Sequence, residues 1–586
     1  MTNATVSKIF GQMADILEIL GEDRFRVNSY RRSARILAEL PSEADQLLRA
    51  GTLSKTPGVG KATVKKIEEY LEKGRIEAHQ ELLGKIPVSL LDLLSVQGMG
   101  PKGVKNAYDQ LQVTSIPELK AAIEDGSLAT LSGFGPKKCD GLGKAILFLE
   151  MASGRMRLDQ ARGVADRVIG FLKEEALVQR IEYAGSLRRW VETIGEVDIL
   201  ATPQDDITPQ AIIDTFTRAD FVVDCLAAGP TQGSVLVHHS GTPIQVDLRI
   251  VEASSFGAAW QYFTGSKDHT MRLRDIALSK GMRLNEYGLY RTADASEPVF
   301  MTGQTEEAIY QGLGLDPVDP KLRQDRGEVE AAQAHTLPRL VTLEDIRGDL
   351  HMHTTASDGR CELEEMVTFG IERGYEYICI TDHSASSIIA NGLSGERLIQ
   401  QIKAIRRLNE GYPEISVLAG SEVDILSDGR LDYEDGLLAE LDFVVASVHS
   451  GMNNARDRGT ARLLKAMDNP SVTCIGHPTT RMLGRREAMD LDMIAILRHA
   501  AETHTAMEVN SNPMRLDLND LHCRMAIDHG VKLIINTDAH NEGGLDRLEY
   551  GVATAAKGWA TKEDVLNTLP WEKLKEWIQM KQSLHS

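Results

Sequence analysis

The sequence predicts a chain of several domains: a helical amino-terminal region, a mixed α/β middle and a carboxy-terminal (β/α) barrel. Three observations carry this. Three glycine turns, each followed by a lysine, punctuate helical periods in the first part of the chain. A segment of strand character in the middle holds two acids one residue apart, Glu196 and Asp198. From Asp349 onward, apolar strand-like runs alternate with helical stretches, and histidines or acids stand just after the runs. A length of 586 residues suits several domains, and 42% hydrophobic content suits ordinary cores.

Composition sets further bounds. The formal net charge of −20, taken alone, argues against a nucleic-acid partner. Binding depends on local patches, however, and several of the acids look like metal ligands whose charge ions would neutralise. No apolar run is long enough to span a bilayer, and no charged-then-apolar leader opens the chain. A cytoplasmic protein without a membrane partner is the expectation. The six cysteines (139, 225, 361, 379, 474 and 523) form no CxxC pair, so neither a disulfide framework nor a cysteine zinc site is expected.

Residues 1–86 read as helical. Ile9, Met13, Ile16, Leu17 and Leu20 follow the helical apolar period. A basic amphipathic helix runs from Phe25 to Pro41, with Tyr30, Arg31, Arg32 and Arg35. Next comes a helix-hairpin-helix pattern, TPGVGKATVKKIEEYLEKG, from Thr56 to Gly74. Its Pro-Gly-Val-Gly turn bares backbone amides that can hold a DNA phosphate, with lysines on the following helix. The turn recurs within 87–157 at QGMGPKG (Gln97–Gly103) and SGFGPKK (Ser132–Lys138). Gly58, Gly60, Gly98, Gly100, Gly133 and Gly135 are therefore the candidate DNA-backbone contacts. Such contacts carry no base specificity.

Residues 158–315 read as a helix followed by strands around turns. GSLRRWVETIGEVDIL, from Gly185 to Leu200, opens with a turn whose amides can hold phosphate, followed by the fork-shaped donors Arg188 and Arg189. On a strand, residues two apart share a face. Glu196 and Asp198 could therefore grip one pair of divalent cations, with Asp247 of IQVDLRI as a third acid. This is equipment for metal-assisted nucleotidyl transfer. Residues 316–346 form a polar linker with prolines and a short helical stretch.

Residues 347–586 carry the second constellation. His351 and His353 stand two apart at a strand end, followed by Asp358, His383, Glu422, His449, His477, Asp538 and His540. Functional residues of a (β/α) barrel sit at the carboxyl ends of its strands. Nine such side chains converging there imply a multinuclear Zn²⁺ or Mn²⁺ site. Arg481, Arg485 and Arg486, after the IGHP motif, either hold substrate phosphates or belong to a solvated loop.

The middle region resembles the palm and thumb of the family X DNA polymerases. The likeness rests on the Gly-Ser turn, the paired-acid strand, Asp247, YFTGS (Tyr262–Ser266), the basic stretch through Lys267, Arg272 and Arg274, and LNEYGLY from Leu284. It implies an α/β nucleotidyltransferase fold in which Glu196 and Asp198 bind two Mg²⁺ or Mn²⁺ ions. Asp247 would ligate the catalytic ion and help deprotonate the primer 3′-OH. Gly185, Ser186, Arg189 and Gly195 would hold the triphosphate of a dNTP. Tyr262, Phe263 and Gly265 would line the nucleotide's sugar side, and Arg274 would sit near the template. The family has Asp-x-Asp where this chain has Glu196-Val197-Asp198; displacing a carboxylate by near 1 Å can cost about a hundredfold in rate. Thr270 replaces the family's usual Asn, and Gln245 stands where some members carry an arginine.

Residues 1–86 resemble the family's small lyase domain. The likeness places Lys66 at the Schiff-base position, with Lys65 beside it, and Tyr30 and Arg31 near the site of a 5′ phosphate. The carboxy-terminal region resembles the PHP (polymerase and histidinol phosphatase) domain, a distorted seven-stranded barrel with a trinuclear centre. All nine of that family's ligands match, with Glu422 bridging two of up to three ions. The whole resemblance implies a monomeric repair polymerase that fills short gaps in gapped, nicked or 3′-recessed DNA, with 3′–5′ exonuclease or 3′-end-processing activity. One alternative is a PHP repair nuclease or 3′-phosphatase whose palm Glu196 weakens and which mainly binds DNA. Another is a non-catalytic scaffold for DNA ends.

Overall fold

The computed structural model describes residues 3–38, 44–49, 53–55, 59–96, 98–152, 155–239, 242–292, 297–452 and 454–583. The chain divides into two compact units, one of Met1–Ser153 with Gly484–Glu487, the other of Gly154–Leu483 with Ala488–Ser586.

The first unit is helical. Met13, Ile16 and Leu17 of the helix Asn3–Leu20 are fully buried, as the apolar period requires, and Phe10 joins them. The basic helix Arg24–Ala38 packs against it through Val27 and Leu37. Gly60 and Gly100 each cap a helix, Lys61–Lys73 and Pro101–Leu111, in extended conformation and without a capping side chain. No side chain therefore caps either first turn, although Thr63 N donates to the Gly60 carbonyl at 3.0 Å and Pro101 has no N–H to offer. Gly98 and Gly133 adopt φ of 92° and 84°, the left-handed region where a side chain is strained. Gly135 directly precedes the helix Pro136–Ala152. Gly58 lies outside the described residues.

In the second unit a five-stranded sheet is ordered Val178–Tyr183, Glu196–Pro203, Thr242–Ile250, Gln232–His239, Val222–Ala228. The strands Glu196–Pro203 and Thr242–Ile250 run parallel, and every other pairing is antiparallel. Val197, Ile199, Val246 and Leu248 bury one face of the pair, against Val164, Val168 and Leu172 of the helix Leu158–Glu174 among others. The opposite face therefore carries Glu196, Asp198 and Asp247. The helices Phe256–Thr264, Lys267–Ser279 and Glu306–Gly312 follow, around a three-stranded antiparallel sheet of Met282–Asn285, Gly288–Arg291 and Val299–Thr302.

The segment 316–346 is less loose than its polarity suggests. Val318, Leu322, Arg323, Val329 and Ala332 are buried, and Val318, Leu322 and Ala332 belong to a core shared with the preceding helices and the barrel. Most charged residues of this segment point outward, but Arg323 and Glu328 turn inward and are buried on Glu306 and His269.

The last region is a seven-stranded parallel sheet whose strands follow chain order: Gly348–Met352, Tyr377–Ile380, Ser416–Asp424, Phe443–Ser447, Cys474–Ile475, Ala506–Asn510 and Leu533–Asn536. A parallel bridge between Met352 and Ala539 brings the last strand beside the first, so the barrel is nearly closed. Both faces of these strands are covered, which is why they read as continuous apolar runs.

Candidate metal centres

The first centre is built by strand register. Asp198 pairs with Asp247 across the parallel ladder, and Glu196 pairs with Gln245. The Gln245 amide donates to both Asp247 oxygens, at 3.0 and 3.2 Å. Burial first, then Glu196 and Asp247, push the Asp198 carboxyl up to about 7, against the pull of Arg249 and Arg189. A carboxylate so crowded by like charge is an open invitation to a cation. Gly185 is obligatory beside it: its φ is +60°, and a Cβ there would lie 1.9 Å from Asp198 Oδ2.

The short helix Gly185–Arg188 starts against Asp198 at Gly185, and the arginines at its end diverge. Arg189 donates to the Thr264 carbonyl, its Nε is buried without a partner, and it stays close enough to Asp198 to feel its charge. Arg188 turns away. It forks onto Glu306 at 2.8 and 2.6 Å, donates to Thr264 Oγ1 at 2.8 Å, and stacks over the Trp260 ring. Arg323 completes the pair from the other side at 2.7 Å. Against the effect of burial, the two guanidiniums hold Glu306 down to about 2. The sequence reading of Arg188 as a phosphate donor is thus corrected: its fork is already filled.

Gly195 lies in the turn just before Glu196. The rings of Tyr262 and Phe263 meet edge to face at 5.1 Å, with Arg249 over Phe263. Gly265 takes φ of +67° and joins Ser266 through a cis peptide. Ser266 caps the helix Lys267–Ser279, on which Arg274 is exposed and Thr270 is buried with an unpartnered hydroxyl.

In the amino-terminal unit, Lys66 Nζ lies 5.8 Å from the centre of the Tyr30 ring, so two of the lyase candidates share one surface. Arg31 is engaged by Glu18 at 2.5 Å and Asp15 at 3.3 Å.

The barrel gathers all nine expected side chains at the carboxyl ends of its strands. Their donor atoms form three groups, each within 4.8 Å: His353, Asp358, His383 and His540; His351, His353 and Asp538; and His383, Glu422 and His449. His477 Nε2 joins the last through Glu422 Oε1 at 3.0 Å. Glu422 stands between the histidines, with His383 Nδ1 at 2.9 Å and His449 Nε2 at 3.2 Å. Among the described residues no comparable group includes the acids of the first centre.

Three facts fit cations here. Nε2 of His351, both ring nitrogens of His353, Nδ1 of His383 and Oε1 of Glu422 are buried without a hydrogen-bond partner, although several lie close in distance. Such groups are costly unless something satisfies them. Second, the ligand carboxylates are held ionised, and against the effect of burial they keep protons on His449 and His540, raised to about 10 and about 9, that a cation would displace. Burial opposes ionisation, but His449, His383 and His351 hold Glu422 well below the usual carboxylate range, and Asp538 is held down likewise. Burial, helped by His540 and His383, lowers His353 to about 4, so it is a neutral imidazole at neutral pH. Third, the outward ring nitrogens are held. His351 Nδ1 meets Glu508 at 2.7 Å, His449 Nδ1 meets Asp424 at 2.9 Å, and His540 Nδ1 meets the Asp538 carbonyl at 2.8 Å, so each ring turns Nε2 inward.

These backing acids were not among the expected site residues. Glu508 is fully buried and also accepts from the His477 amide at 2.6 Å and from Asn536 at 3.1 Å. The visible signal was a lone acid following an apolar pair and preceding a valine in the strand AMEVN. Of the three candidate phosphate arginines, Arg481 is spent on Glu192, at 3.2 and 2.6 Å, and on the Leu516 carbonyl.

Comparison with known proteins agrees with this architecture. Family models match a helix-hairpin-helix domain at residues 1–76, a SAM-like helix-hairpin-helix tandem at 90–142, a DNA polymerase beta thumb at 259–324 and a PHP domain at 349–512. The chain is 36% identical over 568 residues to the DNA polymerase/3′-5′ exonuclease PolX of Bacillus subtilis, covering 97% of each chain. The barrel region is also similar to probable phosphatases. One from Thermoanaerobacter sp. (strain X514) is 28% identical over 40% of this chain and 94% of its own length. One from Caldicellulosiruptor bescii is 29% identical over 34% of this chain and 82% of its own length. With a polymerase-type thumb, two helix-hairpin-helix regions and a PHP barrel in one chain, and likeness to PolX from end to end, this protein belongs to the bacterial family X DNA polymerases that carry a carboxy-terminal PHP domain.

Proposed function

We propose that this protein is a DNA repair polymerase that fills short gaps from dNTPs and trims the same 3′ ends by metal-dependent 3′–5′ exonuclease action. The observation that carries the reading is the presence, in one chain, of a three-acid strand face beside a Gly-Ser turn and a nine-ligand barrel mouth. End-to-end similarity to a polymerase/exonuclease favours this over a nuclease with a weakened palm.

The reading divides the chain at 1–86 (lyase-like DNA binding), 87–157 (helix-hairpin-helix fingers), 158–315 (palm and thumb), 316–346 (connector) and 347–586 (PHP phosphoesterase). The glycine turns at Gly60, Gly98, Gly100, Gly133 and Gly135 offer backbone amides to phosphates of gapped, nicked or 3′-recessed DNA. Tyr30 and Arg31 serve the 5′-phosphate side, and Lys66 is the lyase nucleophile. Glu196, Asp198 and Asp247 hold Mg²⁺ or Mn²⁺. Gly185, Ser186, Arg189 and Gly195 hold the triphosphate; Tyr262, Phe263 and Gly265 fix the sugar; Arg274 faces the template. In the barrel, His351, His353, Asp358, His383, Glu422, His449, His477, Asp538 and His540 hold up to three Zn²⁺ or Mn²⁺ ions. Bound cations supply charge neutralisation at the reacting phosphate and an activated oxygen nucleophile. The chain itself fixes the ligand rings, keeps the carboxylates ionised and positions the DNA. We place the protein in the cytoplasm as a monomer.

The test is a labelled primer on a gapped duplex with Mn²⁺. With dNTPs the primer lengthens to the gap's end; without them it shortens from its 3′ end. A primer unchanged under both conditions overturns the reading.

A further inference from the structure

A phosphodiesterase site needs a cationic grip on the phosphate besides its ions, and the arginines around the barrel mouth are mostly committed. Arg481 is tied to Glu192 and Leu516. Arg462 donates to the carbonyls of Ser450 and Ile425. Arg397 donates to those of Ala356, Asn391 and Gly392.

Arg515 differs. It stands on the loop that follows the sixth barrel strand, beside the ligands. Its Nε lies 3.9 Å from Asp538 Oδ2, while Oδ1 of the same carboxylate faces His353 at 3.2 Å. Its charge also reaches His477. Nη1 is buried and has no hydrogen-bond partner, although the side chain keeps 18% of its surface open. An unpaired buried guanidinium donor is costly, more so than a neutral one, unless an acceptor arrives.

The loop is held rigid for this role. Asn510 and Asp517 bridge its base, with Asn510 N donating to the Asp517 carbonyl at 2.6 Å. The Asn512 side chain accepts from Met514 N at 3.1 Å, and its carbonyl accepts from Arg515 N at 2.7 Å. Leu516 takes φ of 46°, a left-handed turn directly after the arginine. Asn510 Nδ2 donates to Asp538 Oδ2 at 3.1 Å, which ties the base of the loop to that ligand.

We propose that Arg515 is the phosphate-binding arginine of the barrel site: its guanidinium donates to a non-bridging oxygen of the phosphodiester at the DNA 3′ end and of the nucleoside monophosphate released. This rests on the barrel being a phosphoesterase, as proposed above. The ligand class is a phosphate mono- or diester, not the sugar or base.

The test uses the full chain loaded with Mn²⁺ and freed of excess ion, as wild type, Arg515→Ala and Arg515→Lys. Three quantities are read: bound manganese by elemental analysis, inorganic phosphate affinity by calorimetry, and KM and kcat for 3′-end degradation. In Arg515→Ala, phosphate binding weakens about tenfold or more and KM rises by a similar factor, consistent with losing a charge-assisted fork. Manganese content and gap filling stay at the wild-type level. Arg515→Lys recovers part of the phosphate affinity, because charge returns without the fork. Unchanged phosphate affinity in Arg515→Ala overturns the proposal. So does manganese loss in step with phosphate loss, which would make Arg515 a support for Asp538. If wild type binds phosphate through Arg515 yet degrades no DNA, the proposal stands and the exonuclease reading fails.

Discussion

At the scale of single residues, the proposed ligands of the barrel are held by acids outside the nine-residue set. Glu508 holds His351 through Nδ1 and His477 through its backbone amide, so one carboxylate orients two ligands. Replacing it with glutamine keeps the volume but removes the charge. The expected result is about a 10–100-fold loss of Mn²⁺ affinity at the barrel, measured by metal titration, with primer extension preserved. In the palm, Asp198 carries a carboxyl raised to about 7 by burial and by its two acidic neighbours. The protonated form cannot ligate. Cation affinity and extension therefore rise with pH through about 7, and the slope flattens above it. The sign for the cation-free fold is the reverse. A raised pKa contributes stability below the ordinary carboxylate range that is lost as pH rises through about 7. Thermal melts with and without Mg²⁺ should therefore separate more at higher pH. The nine barrel side chains were legible in the sequence because each stands at or just beyond a strand end, a place that pattern alone reveals. Glu508 and Arg515 were not, because their roles depend on which atoms meet across strands distant in sequence: Glu508 and His351 are 157 residues apart.

At the scale of elements, register and packing decide what the side chains can do. One step of slip by either strand of the parallel ladder would turn its own aspartate, Asp198 or Asp247, into the core and bring its valine, Val197 or Val246, to the opposite face. The paired acids two apart made that face legible from sequence. The fate of Arg188 was not legible. Its partner Glu306 lies 118 residues away, on the helix Glu306–Gly312, and the third member, Arg323, belongs to a segment that reads as a polar linker. All three side chains are nearly or fully buried. Removing the carboxylate leaves two guanidiniums facing one another. We expect Glu306→Ala to destabilise this unit by about 3–5 kcal/mol in chemical denaturation, and to weaken extension by loosening the turn that holds Ser186 and Arg189. The pH dependence follows from the depressed carboxyl: its contribution is present above the ordinary glutamate range and is lost as pH falls toward about 2. The helical turns of the first unit were the most legible elements, since glycine at φ near +90° and an uncapped helix start are written in the Gly-x-Gly spacing itself.

At the scale of the molecule, palm, thumb, connector and barrel form one compact unit rather than beads on a string. The loop that follows the Gly-Ser turn is clasped by the barrel. Arg481 pairs with Glu192, Lys557 reaches the Arg189 carbonyl at 3.4 Å, and Trp190 packs edge-on against Tyr550, with Arg162 over both rings. Two centres of opposite chemical direction are thus held in one body. Each centre is expected to do its own work on the same 3′ end. The most direct measurement follows one labelled primer on a gapped duplex with Mn²⁺, with and without dNTPs, for Asp247→Ala and His351→Ala. Asp247→Ala is expected to shorten the primer without lengthening it, and His351→Ala to lengthen it without shortening it. Loss of both activities in either variant, or survival of extension in Asp247→Ala, would rule out this division of work.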